Sequence, residues 1–562
     1  MKYRALCFAF FVCLFSRALA GISAEPLRSP IVVAAAAQPV RPSPLPSVVA
    51  GEEKGGGKID RPFKEGEDLL EAWRFTEAQQ LATKALQENP NSAGALAFDG
   101  RLKFYQGRYQ EALASFDKAL AIDSKDQRAQ GFRLLTQFTQ DVVKTLKRFE
   151  SPHFVVYLDE KRDGILAARA LETLEKSYEN IGAELGYYPK EKVRVEIAPD
   201  ATSFNAISTL SLRDIEETGA VGICKFNKLM IISPRALSFG YRWLDSVSHE
   251  YVHYLIVAVS NNQAPIWLHE GMAHFYETRW RKPAPPKDAA QDYLSPANQT
   301  LLVQALEKNQ FVGFKNMEPS LIRLETPEQV QLAYAEAASA VDFIDQRKGK
   351  AGIQELLATL KEKPTPEAIE KVFGMSFDTF ESRWKGFLKA KGLKEVEGSR
   401  VRKLKVKKDQ REDEDLVELK EIQSVVARNR THLADELFAK GRTVAAVNEY
   451  QRALQASPRS PVILNKLGRV LIQLKRFDEA LPPLKTSLEL DPDNANTYVQ
   501  LARVQLAAKR YPESRSALEE ATQINPFNPT IYKLLVEIYS NLGDQEQAKQ
   551  AKATLEKLMV TN

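Results

Sequence analysis

The chain has 562 residues, of which 44% are hydrophobic and 27% charged, with 27 Gly, 3 Cys and a formal net charge of +5. This composition excludes a wholly disordered chain, a collagen-like chain and a disulfide-rich scaffold, and so small a charge gives no support for nucleic-acid binding. At about 150 residues per domain, the length predicts three or four domains. Histidine is scarce, with six residues in the whole chain, so the positions of these six carry information.

The first twenty residues have the pattern of a secretory signal peptide. Lys2 and Arg4 precede an apolar run over 5–15, and the segment ends in the letters ALA, a small-residue cleavage pattern. We therefore predict that residues 1–20 direct export to the periplasm or secretion. The alternative is an uncleaved N-terminal anchor, although Arg17 lies inside the segment. No other stretch is long and apolar enough to span a bilayer, so no further transmembrane span is expected.

Cleavage after residue 20 would lower the formal charge from +5 to +2, because Lys2, Arg4 and Arg17 leave without any acidic residue. It would also leave Cys224 as the single cysteine, so no internal disulfide is expected. The next segment, 21–58, is dominated by Pro, Ala and Gly without a sustained period, which predicts a disordered tether.

A 34-residue period marks both ends of the remaining chain. Gly66 recurs as Gly100, and Pro458, Pro492 and Pro526 are spaced by the same interval. Small residues at fixed positions allow two antiparallel helices to approach each other closely. The period and the residue sizes together resemble the tetratricopeptide repeat.

This resemblance implies helical solenoids over 59–140 and 427–562, with two repeats in the first and four in the second. Such repeats stack into one continuous core and present a concave surface. A protein partner or a protein substrate on that surface is the usual role, and a purely scaffolding role is the alternative.

The region 145–395 has a different, mixed pattern. Short β-branched runs at 153–158, 193–198 and 228–233 predict strands, and helical spacing of apolar residues over 165–186 predicts a helix that ends at Gly186. The sequence therefore predicts an α+β domain between the two helical arrays. After it, 396–425 carries a basic and then an acidic block, which predicts a charged linker, either solvated or helical.

Four of the six histidines lie within 249–274, and two of them belong to the motif HEYVH. On a helix, His249 and His253 are four residues apart and project from one face. Two imidazoles at this spacing can both reach one metal ion, and Glu250, next in sequence to His249, is turned about 100° around the helix from it. A satisfied pair of core histidines is the structural alternative.

A catalytic zinc site needs a third protein ligand. The helix carrying HEYVH can continue to about Val259, and the polar residues 260–262 then break it. Pro265 is well placed for the first turn of a second helix. An antiparallel second helix would bring Glu270 back opposite His253, so Glu270 is the predicted third ligand.

HExxH followed by WLHEG resembles the gluzincin metallopeptidases, and most closely the peptidase MA-like group. The resemblance implies a zincin-like domain over 145–395 in which Zn²⁺ is bound by His249, His253 and Glu270. It also implies that Glu250 is the general base that activates water for hydrolysis of a peptide bond.

Four further residues are candidates for supporting roles. Tyr334 occupies a tyrosine position typical of the family and is either an oxyanion donor or site-lining residue, or a packed helix tyrosine. His274 lies four residues after Glu270, where the family often has an acidic residue. We expect His269 to point elsewhere on the helix, and Asp245, one turn before His249, to be a candidate orienting partner.

The predicted fold is mostly α, with a central α+β zincin-like metallopeptidase domain between two tetratricopeptide solenoids. The predicted function is an exported zinc peptidase, of the endopeptidase or aminopeptidase-like type, whose repeats engage a protein substrate or partner. One alternative is a repeat scaffold with a catalytically silent, peptide-binding zincin domain. Another is an envelope assembly factor that uses only its repeats. Nucleic acid is not an expected partner.

Overall fold

The computed structural model describes residues 61–281, 293–407 and 414–561. These residues belong to a single unit that spans residues 45–562. The predicted signal peptide and the whole of the predicted tether lie outside the described residues, as do residues 59 and 60. Within the described parts, no helix is both long enough and apolar enough to cross a membrane.

The N-terminal array consists of antiparallel helix pairs, as the 34-residue period predicts. A β-carbon at Gly100 would lie 2.8 Å from the ring of Phe116, so the close approach of the second pair requires a residue without a side chain there. Two pairs and a fifth helix form the array. They are α1 (Arg61–Glu71), α2 (Phe75–Glu88), α3 (Ala93–Tyr105), α4 (Tyr109–Ile122) and α5 (Gln127–Val143).

The central region contains a five-stranded sheet covered by helices. Its elements are β1 (Lys147–Glu150), β2 (Phe154–Leu158), α6 (Glu160–Asp163), α7 (Ala167–Leu185), β3 (Val193–Ala198), α8 (Ala201–Ser208), α9 (Leu212–Thr218), β4 (Gly222–Lys225), β5 (Lys228–Ile232), α10 (Trp243–Ser260), α11 (Ile266–Tyr276), α12 (Pro296–Lys308), α13 (Pro327–Leu360), α14 (Thr365–Phe373) and α15 (Phe377–Ala390). The long helix α13 is interrupted at Gly349, where φ is +61°.

The strand order in the sheet is β1-β2-β3-β5-β4. The three predicted strands are β2, β3 and β5, and they run parallel to one another. The strands β1 and β4 pair antiparallel at the two edges. They were not predicted because each has four residues, and the sequences KRFE and GICK show no apolar run. The predicted helix over 165–186 is α7, which ends at Gly186 with φ of +69°.

The N-terminal array packs against the hairpin of β4 and β5. Phe226, in the turn of this hairpin, lies with its ring centroid 5.1 Å from that of Phe104 and 5.5 Å from that of Tyr105. Behind the turn, Lys228 Nζ contacts Glu196 Oε2 at 2.7 Å, and both side chains are buried. The hydroxyl of Tyr109, at the start of α4, lies 3.1 Å from Glu196 Oε1 and 3.2 Å from Lys228 Nζ. The aromatic contacts and this hydroxyl therefore hold the sheet against the array.

The C-terminal array has four helix pairs, which matches the predicted number of repeats. A β-carbon at Gly468 would lie 2.5 Å from the side chain of Leu484, so the close approach of these two helices requires a glycine here, as it does at Gly100. The short helix α16 (Glu414–Leu419) precedes the array. Its helices are α17 (Val425–Ala439), α18 (Thr443–Ala456), α19 (Pro461–Gln473), α20 (Phe477–Leu490), α21 (Ala495–Ala507), α22 (Tyr511–Ile524), α23 (Pro529–Leu542) and α24 (Gln545–Thr561).

The charged linker over 396–425 is packed at a few residues where the structure describes it. Val406 pairs with Leu237 in a single antiparallel bridge, and Val417 and Ile422 are buried. Several of its other residues are exposed, and its second half contains the short helix α16. Ile422 belongs to the core of the C-terminal array, and Val406 packs against the main core of the protein.

Candidate functional site

The helix that carries HEYVH is α10, in the centre of the fold. It buries Val247 and Leu255 fully and packs on α7, β4 and β5. It ends where Asn261 adopts the left-handed conformation, with φ of +54°. The predicted break after the helix is therefore present, and it turns the chain so that α11 returns alongside α10.

The four-residue spacing and the helix reversal bring three donor atoms together. His249 Nε2 lies 3.2 Å from His253 Nε2, and Glu270 Oε2 lies 3.7 Å from each of these nitrogens. Donors that share one zinc ion at bond lengths of about 2.0–2.1 Å lie about 3.3–3.4 Å apart. Two imidazoles and a carboxylate at this spacing fit a divalent metal ion.

The electrostatics of two of the three donors also suit a cation, whereas burial acts to lower the pKa of His249 but Glu270 and Glu277 outweigh it and raise that pKa. Burial alone would raise the pKa of Glu270, but His253 and His249 outweigh it and lower the pKa to about 2. Burial lowers the pKa of His253 to about 3, so its imidazole is neutral. An ionised carboxylate and a neutral imidazole are the protonation states that bind metal.

Glu277 is a site residue that the sequence analysis missed. Its Oε2 lies 2.9 Å from His249 Nδ1, on the side of the ring opposite the donor nitrogen Nε2. Burial acts to raise the pKa of Glu277, but His274 and His249 outweigh it and lower the pKa to about 2. Glu277 is seven residues after Glu270, two helical turns along the same face, and this spacing was the available signal.

Glu250 lies beside the donor cluster, which consists of His249, His253 and Glu270, and its carboxyl group lies against the edge strand β4. It accepts a hydrogen bond from the backbone N–H of Cys224, while its Oε2 is buried and has no hydrogen-bond partner among the described residues. Burial is the main cause that raises the pKa of Glu250 to about 8. A carboxyl group with such a pKa can gain and lose a proton near neutral pH, as a general base must.

These side chains line one cleft with a volume of about 400 Å³. Its walls come from β4, α10, α11 and α13, and Tyr334 lines it from α13. The ring of Tyr334 lies edge-on to that of His274, with centroids 4.7 Å apart. Tyr334 therefore lines the cleft, and it also packs against the core.

Two other candidates have different surroundings from those expected. His269 does not point away from the site, because its Nδ1 lies 3.4 Å from His253 Nδ1. Asp245 does not contact His249, and its carboxylate accepts hydrogen bonds from Trp280 Nε1 at 2.8 Å and Arg281 Nη2 at 2.6 Å. These two bonds join the start of α10 to the segment that follows α11.

The C-terminal array holds the start of α10. Arg242, directly before the helix, contacts Asp493 Oδ1 at 2.5 Å, Glu520 Oε2 at 2.9 Å and the carbonyl of Pro492 at 2.9 Å. Trp243 donates from Nε1 to a carbonyl of the same array. The array is therefore part of the support for the helix that carries the donor cluster.

Replacing Arg242 by methionine is expected to lower the free energy of unfolding by about 1–3 kcal/mol, because three acceptors lose a partly buried partner. The matched control is Arg476→Met, which removes an exposed ion pair with Glu479 and should leave the unfolding midpoint close to that of the wild type. Thermal unfolding of the full chain measures both. Equal midpoints for the two variants would contradict the role of Arg242.

The fold and the cleft define the class of this protein as a zincin-like domain between helical repeat arrays. Comparison with protein families gives the same result. Residues 175–390 match the model of the Peptidase MA superfamily. Residues 69–137, 437–482 and 475–538 match a tetratricopeptide repeat model. The chain contains a Peptidase MA superfamily domain flanked by tetratricopeptide repeats.

No curated protein matches the chain. Solved structures match over about a quarter of it. A mutant of MamA is 20% identical and covers 25% of this chain and 83% of its own, with a TM-score of 0.22. MamA from Desulfovibrio magneticus RS-1 is 18% identical and covers 24% of this chain and 77% of its own, with a TM-score of 0.23. A thermophilic tetratricopeptide repeat protein of Thermus thermophilus is 25% identical and covers 24% of this chain and 74% of its own, with a TM-score of 0.23.

Proposed function

We propose that this protein is a zinc peptidase that hydrolyses peptide bonds of a protein or peptide substrate. The observation that carries the proposal is the convergence of His249, His253 and Glu270 beside Glu250, whose buried Oε2 has no hydrogen-bond partner in the part of the chain that the structure describes. The match to the Peptidase MA superfamily supports the same class of reaction.

Five residues of the cleft have a part in the proposed reaction. His249, His253 and Glu270 would hold Zn²⁺, which when bound would supply Lewis acidity toward a water molecule and the substrate carbonyl. Glu250 accepts the proton of the attacking water and passes it to the leaving amine, so that two steps use one carboxylate. Tyr334, on the opposite wall, is the candidate donor to the oxyanion of the substrate.

The flanking segments suggest where and how this reaction takes place. The pattern of residues 1–20 supports export to the periplasm or secretion. The repeats support binding of a protein, either the substrate or a partner. Both arrays contact the catalytic domain, at the hairpin of β4 and at the start of α10, so a protein held by them would lie on the same molecule as the cleft.

The test uses the purified full chain and an unstructured protein substrate such as denatured casein. We expect about one zinc per chain, cleavage that a chelator abolishes, and recovery of cleavage on addition of Zn²⁺. Bound zinc without cleavage by the wild-type chain would instead favour the catalytically silent, peptide-binding alternative. A chain that binds no zinc would contradict the assigned site.

Gly222 provides a second test, because the absence of a side chain at this position leaves space for the carboxyl group of Glu250. A β-carbon at this position would overlap Glu250 Oε1 and lie 2.9 Å from its Cδ. Gly222→Ala is therefore expected to displace the carboxylate and lower kcat by about 10–100-fold, with zinc retained. Gly386→Ala is the control, because a β-carbon there meets no atom within 4 Å. Equal kcat values for the two variants would contradict this placement of the base.

A further inference from the structure

His274 lies beside two residues of the donor cluster, His249 and Glu270. It is four residues after Glu270, one turn along the same face of α11. One of its ring nitrogens, a nitrogen of His249 and an oxygen of Glu270 all lie within 4.8 Å of one another. The position at which the resembling family often has an acidic residue therefore carries a potential metal donor in this chain.

The surroundings of His274 resemble those of His249. The Nδ1 atom of His274 lies 3.3 Å from Glu277 Oε2, and the Nδ1 atom of His249 lies 2.9 Å from the same oxygen. The two rings meet edge to face, with centroids 4.7 Å apart. One carboxylate thus engages both imidazoles through Nδ1, which leaves Nε2 of each for another partner.

This arrangement is typical of metal-binding histidines, which donate from one ring nitrogen to a carboxylate while the other nitrogen holds the metal. Tyr334 also packs edge-on against the His274 ring, with centroids 4.7 Å apart. The ring therefore has three neighbours, Tyr334, His249 and Glu277. Such support would be unnecessary for a histidine that only faces solvent.

We propose that His274 is a fourth protein ligand of the same zinc ion in the resting protein. The inference rests on the proposed function, since it assigns a further donor to that site. Four protein donors complete the coordination of a structural zinc site, whereas a catalytic site keeps one position open. In the resting protein His274 therefore occupies the position needed by water, and its withdrawal opens the site.

The experiment compares two variants of the full chain. His274→Ala removes the whole ring. His274→Asn keeps an N–H group near the position of Nδ1, so it can still donate to Glu277, but it lacks Nε2. His153→Ala is the matched control. The Nδ1 atom of His153 also contacts a carboxylate, 2.6 Å from Glu175 Oε2, and this pair lies away from the cleft. Zinc affinity is measured by competition with a chromophoric chelator, and the visible spectrum is measured after replacement by Co²⁺.

Both His274 variants are expected to bind zinc about 100-fold more weakly than the wild type and to share an altered Co²⁺ spectrum, while His153→Ala matches the wild type. Wild-type zinc affinity in His274→Asn would overturn the inference, because the imidazole would then serve only as a partner of Glu277. Loss of cleavage with unchanged zinc affinity in both variants would also overturn it and would assign His274 to the substrate. Absence of zinc from the wild type would instead contradict the proposed function.

Discussion

Replacing Glu250 by glutamine is expected to lower kcat by about 10²–10⁴-fold while the protein still binds zinc and remains folded. The amide has nearly the same shape as the carboxylate, so the packing against β4 is preserved. It cannot accept a proton from water, and the step that creates the nucleophile is lost.

The electrostatics around Glu250 explain why this residue, and not Glu270, should have this effect. The histidines hold Glu270 in its ionised form, with a pKa of about 2. Burial gives Glu250 a pKa of about 8, and its Oε2 has no partner among the described residues. One carboxylate is suited to hold a cation permanently, and the other is suited to exchange a proton.

Glu336→Gln is the matched control for this variant. Glu336 is also buried, and burial raises its pKa to about 7, but it accepts hydrogen bonds from the backbone N–H groups of Val312 and Gly313 away from the donor cluster. The Glu336→Gln variant should be somewhat less stable than the wild type, but it should still bind zinc and retain most of its kcat. Single-turnover cleavage with metal analysis measures both variants. Full activity in the Glu250 variant would contradict the proposed mechanism.

The sequence could predict the parts of the site that depend on local spacing. The four-residue interval between His249 and His253 fixes a shared helix face, and the break at 260–262 leads to the reversal that returns Glu270. The 34-residue period likewise predicts both arrays, because each repeat is one local helix pair.

The remainder depends on tertiary contacts that no local period encodes. The hydrogen bond of Glu277 to His249 requires the mutual position of two helices. The contacts of Arg242 join residues about 250 positions apart in the chain. The edge strand β4 gains its stability from pairing with β5 rather than from its own residues. The apolar residues of the linker were hidden by the charges around them.

Replacing Glu277 by glutamine is expected to weaken zinc binding by about 10–100-fold. The carboxylate accepts from Nδ1 of His249 and thereby turns Nε2 toward the donor cluster. It also adds negative charge behind two imidazoles, which makes them better ligands. An amide retains one acceptor oxygen but loses the charge, so the ring of His249 is held less firmly and donates less strongly.

Glu175→Gln is a close control for this effect, because Glu175 Oε2 lies 2.6 Å from His153 Nδ1 in another pair of a carboxylate and an imidazole. The same chemical change there should leave zinc affinity at the wild-type value. Competition with a chromophoric chelator compares the two variants under identical conditions. If both bind zinc equally well, Glu277 does not position His249. If only the Glu277 variant binds zinc more weakly, Glu277 orients His249. The position four residues after Glu270 cannot take this role, because it is occupied by His274 instead of an acidic residue.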